Sequence, residues 1–167
     1  MNARQNTDME QRAHADHHAS LRLWLRLLSC TTRIEDTIRQ RLREQFGITL
    51  PRFDLMAQLE REPQGLAMGE VSRRMMVTGG NVTGIVDQLE REGLVERLAD
   101  EKDRRAFRVR LTKAGERAFA EMAREHEAWI VELLSGLTRR EHADLFALLA
   151  KVKTHAVGVV DAAGEDA

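Results

Sequence analysis

The chain has 167 residues, 43% hydrophobic and 32% charged, with 26 Lys+Arg against 27 Asp+Glu for a net charge of −1. That supplies the core of one ordinary domain, and no segment approaches the roughly 18–20 uninterrupted apolar residues of a membrane span. Near-neutrality does not by itself point to a nucleic-acid partner, so the distribution of charge has to decide.

Residues 1–17 are polar, aperiodic and without a signal-peptide core, so a flexible N-terminus and a cytoplasmic location are expected. A long helix is predicted from His18 to Phe46, within an 18–48 segment. Leu21, Trp24, Leu25 and Leu28, then Ile34, Ile38 and Leu42, recur at threes and fours, and Gly47 ends the run. Cys30, the single cysteine, cannot form an internal disulfide and, beside Leu27 and Leu28, reads as a buried inert thiol. Pro51 suits the first turn of a second helix with Phe53, Met56 and Leu59 inward, broken by residues 62–65. A third, short helix carries Met68, Val71 and Met75.

Residues 78–116, TGGNVTGIVDQLEREGLVERLADEKDRRAFRVRLTKAGE, change period midway. Val82, Ile85, Val86 and Leu89 fall at i, i+3, i+4 and i+7, which leaves Asn81, Thr83, Gly84, Asp87 and Gln88 outward. Thr78 fits the N-cap and Gly93 the glycine after the C-cap. Beyond Gly93 the period becomes two. Phe107, Val109 and Leu111 alternate with Arg108 and Arg110, and 94–98 pairs with them across a loop containing Lys102, Asp103, Arg104 and Arg105. From Arg97 to Lys113 seven basic residues face three acidic ones, 7 − 3 = +4. A helix-turn-helix followed by a basic hairpin implies a helix for the major groove of duplex DNA and a wing beside it.

A fifth helix is predicted from Thr112 to about Ser135, spaced by Phe119, Met122, His126, Trp129 and Leu133. Thr138-Arg139-Arg140-Glu141 is a capping box opening a sixth, with Leu145, Phe146, Leu149 and Val152. The expected class is therefore mainly α with a small β-hairpin wing: a winged helix-turn-helix over 49–111, flanked by dimerisation helices over 18–48 and 112–157, with a flexible tail over 158–167. The flanking helices carry more large apolar residues than a winged domain needs. A homodimer is expected, using Leu21, Leu28, Trp129, Leu133, Phe146 and Leu149, with its two recognition helices about 34 Å apart on a pseudo-palindromic site.

These elements and the segment VTGGNVTGIVDQLEREGLVERLADEKDRRAFRVRLTKAGE closely resemble the MarR family of bacterial winged-helix regulators over about residues 20 to 156. Asp103-Arg104-Arg105 followed by Leu111-Thr112 and Gly115 is the most specific part of the match. The resemblance implies a homodimeric repressor whose DNA affinity is lowered by a small ligand, often an aromatic acid, and no cofactor or metal. It implies that Gly79, Gly80, Asn81 and Thr83 open the recognition helix at bases and phosphates. Arg105 would enter the minor groove with Asp103 orienting the wing, and Arg73 and Arg74 would meet phosphate. Gly84 departs from the family, where a longer, often basic side chain is common, and Gly79-Gly80 offers backbone approach without side-chain readout. Base reading then falls to Asn81, Thr83 and Gln88, with Asn81 suited to an adenine edge.

For the effector, the family's pocket implies Trp24, Arg33, Arg52, Phe53 and Met56 as candidates. TTRIEDTIRQRLREQFGITLPRFDLMAQL also resembles a subgroup that answers to hydroxycinnamoyl-coenzyme A thioesters. A cationic and apolar lining suits an aromatic acid or its acyl-CoA ester. Three other classes compare less well with the sequence. His14, His17, His18 and His126 admit a zinc-sensing regulator, though without convergent ligands in evident register. An enzyme finds no support: there is no tyrosine, nucleophile elbow, HExxH or phosphate-cradling glycine motif. A helical adaptor fits the amphipathic faces but not the basic wing.

Overall fold

A computed structural model describes residues 19–75, 79–99 and 107–165. In chain order the elements are α1 (Ala19–Phe46), α2 (Leu50–Glu60), β1 (Leu66–Ala67), α3 (Met68–Met75), α4 (Gly79–Arg91), β2 (Val95–Ala99), β3 (Phe107–Leu111), α5 (Lys113–Leu134) and α6 (Arg139–Glu165). The chain divides into two compact units, one up to Glu127 and one from Ala128 onward. Among the described residues no helix is long and apolar enough to cross a membrane.

The core of the first unit is made where the periodic apolar faces meet. Leu42 of α1, Leu55, Met56 and Leu59 of α2, Val71 of α3, Val82, Val86 and Leu89 of α4, Val95 of β2 and Val109 of β3 are all fully buried. Left-handed glycines stop the helices that feed this core. Gly47 (φ 64°) donates to the Arg43 carbonyl at 3.1 Å. Gly93 (φ 72°) donates to Glu90 at 2.9 Å, and Leu94 donates to Leu89 at 2.9 Å, the paired bonds of a Schellman cap. Both stops match the sequence reading.

The sheet has three antiparallel strands in the order β1-β3-β2, where the sequence suggested a two-stranded ribbon. The added strand is only two residues, too short for periodicity to show, and exists because Leu66 and Ala67 find Val109 and Arg108 as partners. Gly65 (φ 79°) feeds it, and a Cβ there would lie 2.8 Å from the Val109 carbonyl oxygen. β2 and β3 pair from Val95↔Leu111 to Ala99↔Phe107, one residue later on the first strand than predicted. Phe107, predicted to share the inward face of Val109 and Leu111, is exposed, because at this end the ribbon has left the core.

Thr112 ties the start of α5 to the end of α4. Its N–H donates to the Leu94 carbonyl at 3.0 Å, its hydroxyl donates to the Gly93 carbonyl at 2.6 Å, and that same oxygen accepts from the Gly115 N–H at 3.0 Å. Gly115 is obligatory here: a Cβ would sit 1.9 Å from the Leu94 oxygen. The Leu111-Thr112 and Gly115 pattern read from the sequence is thus the joint between recognition helix, wing and α5.

α1 buries Ser29, Ile38 and Leu42. Cys30 is exposed rather than buried, since the covered side of α1 at this level passes through Ser29, one residue round the helix. Leu21, Trp24 and Leu28 stand exposed on the same helix. In the second unit, the capping box that opens α6 is present: the Glu141 N–H donates to the Thr138 hydroxyl at 3.3 Å and the Thr138 N–H to Glu141 at 2.8 Å. The Thr138 N–H first, and then the Thr138 hydroxyl, which donates to the same carboxylate at 2.7 Å, hold the Glu141 carboxyl below its usual range. α6 runs on to Glu165 through the stretch expected to be a tail from 158, which contains alanines and no proline to stop it.

Candidate nucleic-acid interface

α4 separates its two faces cleanly. Val82, Val86 and Leu89 are buried, Ile85 is half-buried, and Gly80, Asn81, Thr83, Gly84 and Gln88 are exposed together. A Cβ built on Gly80 or Gly84 would meet nothing within 4 Å, so the first turns of α4 are open as well as sparse. Gly79 begins the helix. Thr78 and the wing tip, Lys102, Asp103, Arg104 and Arg105, lie outside the described residues.

The basic surplus read from the sequence is largely consumed inside the fold. Arg97 spans two carboxylates one turn apart on α4, Nη2 to Asp87 and Nη1 to Glu90. The Asp87 hydrogen bond, with Glu90 adding, raises the guanidinium above its ordinary range. Arg110 Nε donates to Glu96 at 2.7 Å, its direct cross-strand partner. Arg108 donates to the carbonyls of Gln64 and Gly65, fastening the turn before β1. Lys113 pairs with Glu116 at 2.8 Å, so all four of the seven cations that fall among the described residues have partners; the other three, Lys102, Arg104 and Arg105, lie outside them.

The same distinction separates the two arginines of α3. Arg74 is held by Glu70 at 2.7 Å and Glu62 at 3.0 Å; the Glu70 hydrogen bond first, then that of Glu62, raises its pKa. Glu70 is correspondingly lowered, first by Arg74. Arg73 pairs with Glu70 alone among the described residues and keeps a side chain 77% exposed, so it is the better placed of the two to meet phosphate.

The residues proposed for the effector differ widely in burial. Trp24, 57% exposed, and Arg33 lie on α1. Phe53 is core, its ring 5.4 Å from Phe119 and 4.9 Å from His126, and Met56 is fully buried. Burial holds His126 below the ordinary imidazole range. Arg52 is buried at 9% exposure and pairs with Glu92, just past the end of α4. In the first unit a cavity of about 330 Å³ lies between Leu59, Pro63, Leu111 and Phe119, with Glu60 and Glu116 on its walls. A cavity of about 140 Å³ includes Arg52. Neither is lined by Trp24, Arg33, Phe53 or Met56.

The residues put forward for dimerisation divide likewise. Leu21, Leu28, Phe146 and Leu149 are exposed, Leu133 is half-buried, and Trp129 is buried within the single chain. Of the histidines weighed for zinc, His14, His17 and His18 lie outside the described residues, among which no group of three metal-ligating side chains occurs.

Sequence reasoning missed Arg97 and Arg52 as braces of α4. A signal was present for the first: Asp87 and Glu90 at i, i+3 form an acidic edge, and Arg97 follows on the strand that packs beside it.

A helix-turn-helix whose second helix offers an open polar face, followed by a ribbon joined to its end, defines a winged-helix DNA-binding protein. Residues 46–106 match the MarR family profile. The crystal structure of a MarR family transcriptional regulator from Silicibacter pomeroyi superposes with a TM-score of 0.69 at 32% identity, over 81% of this chain and 94% of that one. MepR of S. aureus, in complex with DNA, shares the fold at a TM-score of 0.68 and 24% identity, over 83% of this chain and 99% of that one. The transcriptional activatory protein BadR of Rhodopseudomonas palustris is 29% identical, over 100% of this chain and 97% of its own length. The chain belongs to the MarR family of winged-helix transcriptional regulators.

Proposed function

We propose that this regulator acts as a homodimeric repressor of a pseudo-palindromic operator and is released by a small aromatic acid or its acyl-CoA ester. The observation that carries the DNA half is the open face of α4: Asn81, Thr83 and Gln88 are exposed there beside Gly80 and Gly84. Asn81 reads an adenine edge, Arg73 and the tip residues Lys102, Arg104 and Arg105 supply phosphate and minor-groove charge, and Asp103 orients the tip. Exposed apolar side chains on α1 and α6, with Phe146 at 72%, support self-association through the terminal helices. Solution scattering at micromolar concentration should give a particle of about twice the 19.0 kDa chain. A stable monomer overturns the dimer.

Site selection from a randomised duplex pool tests the reading directly. The selected site should hold two half-sites about 34 Å apart. Asn81→Ala should relax preference at one position in each half-site. Arg105→Ala should weaken binding to every sequence and lower the slope of log K against log salt by about 0.9. An unchanged consensus for the first variant, or an unchanged slope for the second, removes the role assigned to that residue. An activator reading is favoured by the name of the R. palustris relative, matched along the whole chain. A reporter carrying the selected site separates the two signs.

The effector half draws on Arg52, which lines the cavity of about 140 Å³ in the first unit. Its test is displacement from the selected duplex by aromatic acids and their coenzyme A esters, with a thermal-shift screen as the parallel readout.

A further inference from the structure

Where the start of α2 meets the end of α4, the cavity of about 140 Å³ opens between Phe46, Ile48, Arg52, Glu92, Glu121 and Met122. Arg52 is the one buried cation among the described residues. Its Nη2 donates to the Glu92 carboxylate, while its Nε–H, also shut off from solvent, meets no acceptor among the described residues. Nε–H and the Nη2–H beside it run parallel along one edge of a guanidinium, the fork that a carboxylate takes with both oxygens. Glu92 fills one prong and leaves the other empty. A buried donor left this way carries a desolvation cost that a better-placed acceptor would recover.

We propose that this cavity is a carboxylate-exchange site: a small free carboxylate takes both prongs of Arg52, displaces Glu92, and so unfastens the end of the recognition helix. The inference rests on the reading of the protein as an effector-responsive regulator and names where anion and helix compete. Glu92 follows the last residue of α4 and precedes Gly93, whose cap closes that helix, so the Arg52–Glu92 pair ties α2 to the position of α4. Phe46, Ile48 and Met122 offer apolar surface to the body of the ligand, and Glu121 favours a body with a hydrogen-bond donor and opposes a second negative charge. The volume suits a small hydroxy-acid.

The test is calorimetric titration of 4-hydroxybenzoate into the full chain and its variants, with circular dichroism to check folding. Glu92→Gln removes the charged internal competitor and should tighten binding about ten-fold. Arg52→Lys should lose binding, because an ammonium lacks the fork. Should that variant not fold, Glu92→Gln alone decides. On the selected duplex, Glu92→Gln without any carboxylate should bind more weakly than wild type, by the factor that saturating 4-hydroxybenzoate produces in wild type. Equal or weaker 4-hydroxybenzoate binding by Glu92→Gln, or none by either protein, overturns the exchange site. Tighter binding by the variant, with DNA affinity indifferent to both ligand and substitution, upholds the carboxylate site and overturns its coupling to the recognition helix. Failure of both proteins to bind DNA at all, with the carboxylate result intact, overturns the regulatory reading instead.

Discussion

The two halves of α4 are built differently. From Val86 onward the helix is braced from several directions: Leu89 is buried, Arg97 grips Asp87 and Glu90, Arg52 grips Glu92, and Gly93 closes a cap to which Thr112 is bonded. From Gly80 to Gly84 Val82 is the one buried side chain, and Gly80 and Gly84 face open space. The bracing gathers in the second stretch of the helix, while of the three side chains proposed to read bases Asn81 and Thr83 lie in the first and Gln88 in the second. A fixed far end lets a nearly bare near end approach DNA closely, with few side chains in the way.

The largest expected effect comes from breaking the held half at its joint. In Gly115→Ala the new methyl meets backbone, the Leu94 carbonyl oxygen at 1.9 Å and its carbon at 2.9 Å, and backbone cannot swing aside as a side chain can. We expect a loss of about 3 kcal/mol or more of stability, toward the upper end of overpacking costs. Urea denaturation measures it. A loss below about 1 kcal/mol would mean that α5 is free to shift against the end of α4, and the contrast between the halves would weaken.

Arg97→Met sharpens the contrast without dismantling the fold. Methionine keeps the stem's packing and removes both ionic hydrogen bonds, leaving Asp87 and Glu90 to repel each other one turn apart. Affinity for the selected duplex should fall about ten-fold while the slope of log K against log salt stays as in wild type, since no phosphate contact is lost. A slope reduced by about 0.9 would show instead that Arg97 meets the DNA backbone, and the division of labour along α4 would fail.

Much of this was legible in the sequence wherever the signal was local. Val82, Val86 and Leu89 announce a helix face by their spacing, Gly47 and Gly93 announce its ends, and Thr138 with Glu141 announces a cap. Strand β1 was not legible, because Leu66 and Ala67 become a strand only through Val109 and Arg108, more than forty residues away. Charge misled for a related reason: a sum of +4 treats Arg97, Arg108 and Arg110 as free, and each has a partner that only the fold supplies. The open face of α4 followed from the helical period. The effector candidates came from resemblance rather than pattern, and an apolar residue such as Phe53 or Met56 reads the same in sequence whether it lines a pocket or fills a core.

The smallest effect tests the open half. At Gly84 a Cβ would meet nothing within 4 Å, so Gly84→Lys has room and gains helix propensity of roughly 1 kcal/mol over glycine. The added cation stands on the same exposed face as Asn81 and Gln88. If α4 approaches DNA with space to spare, the variant should bind all duplexes a few-fold more tightly, steepen the salt slope by about 0.9 and discriminate less between the selected site and random DNA. If the bare helix exists to bring its backbone against phosphate, the lysine will be in the way. Affinity for the selected site will then fall despite the added charge, while the melting temperature still rises. Fluorescence anisotropy across a salt series distinguishes the two, because a steric block leaves the slope near its wild-type value and an added phosphate contact cannot.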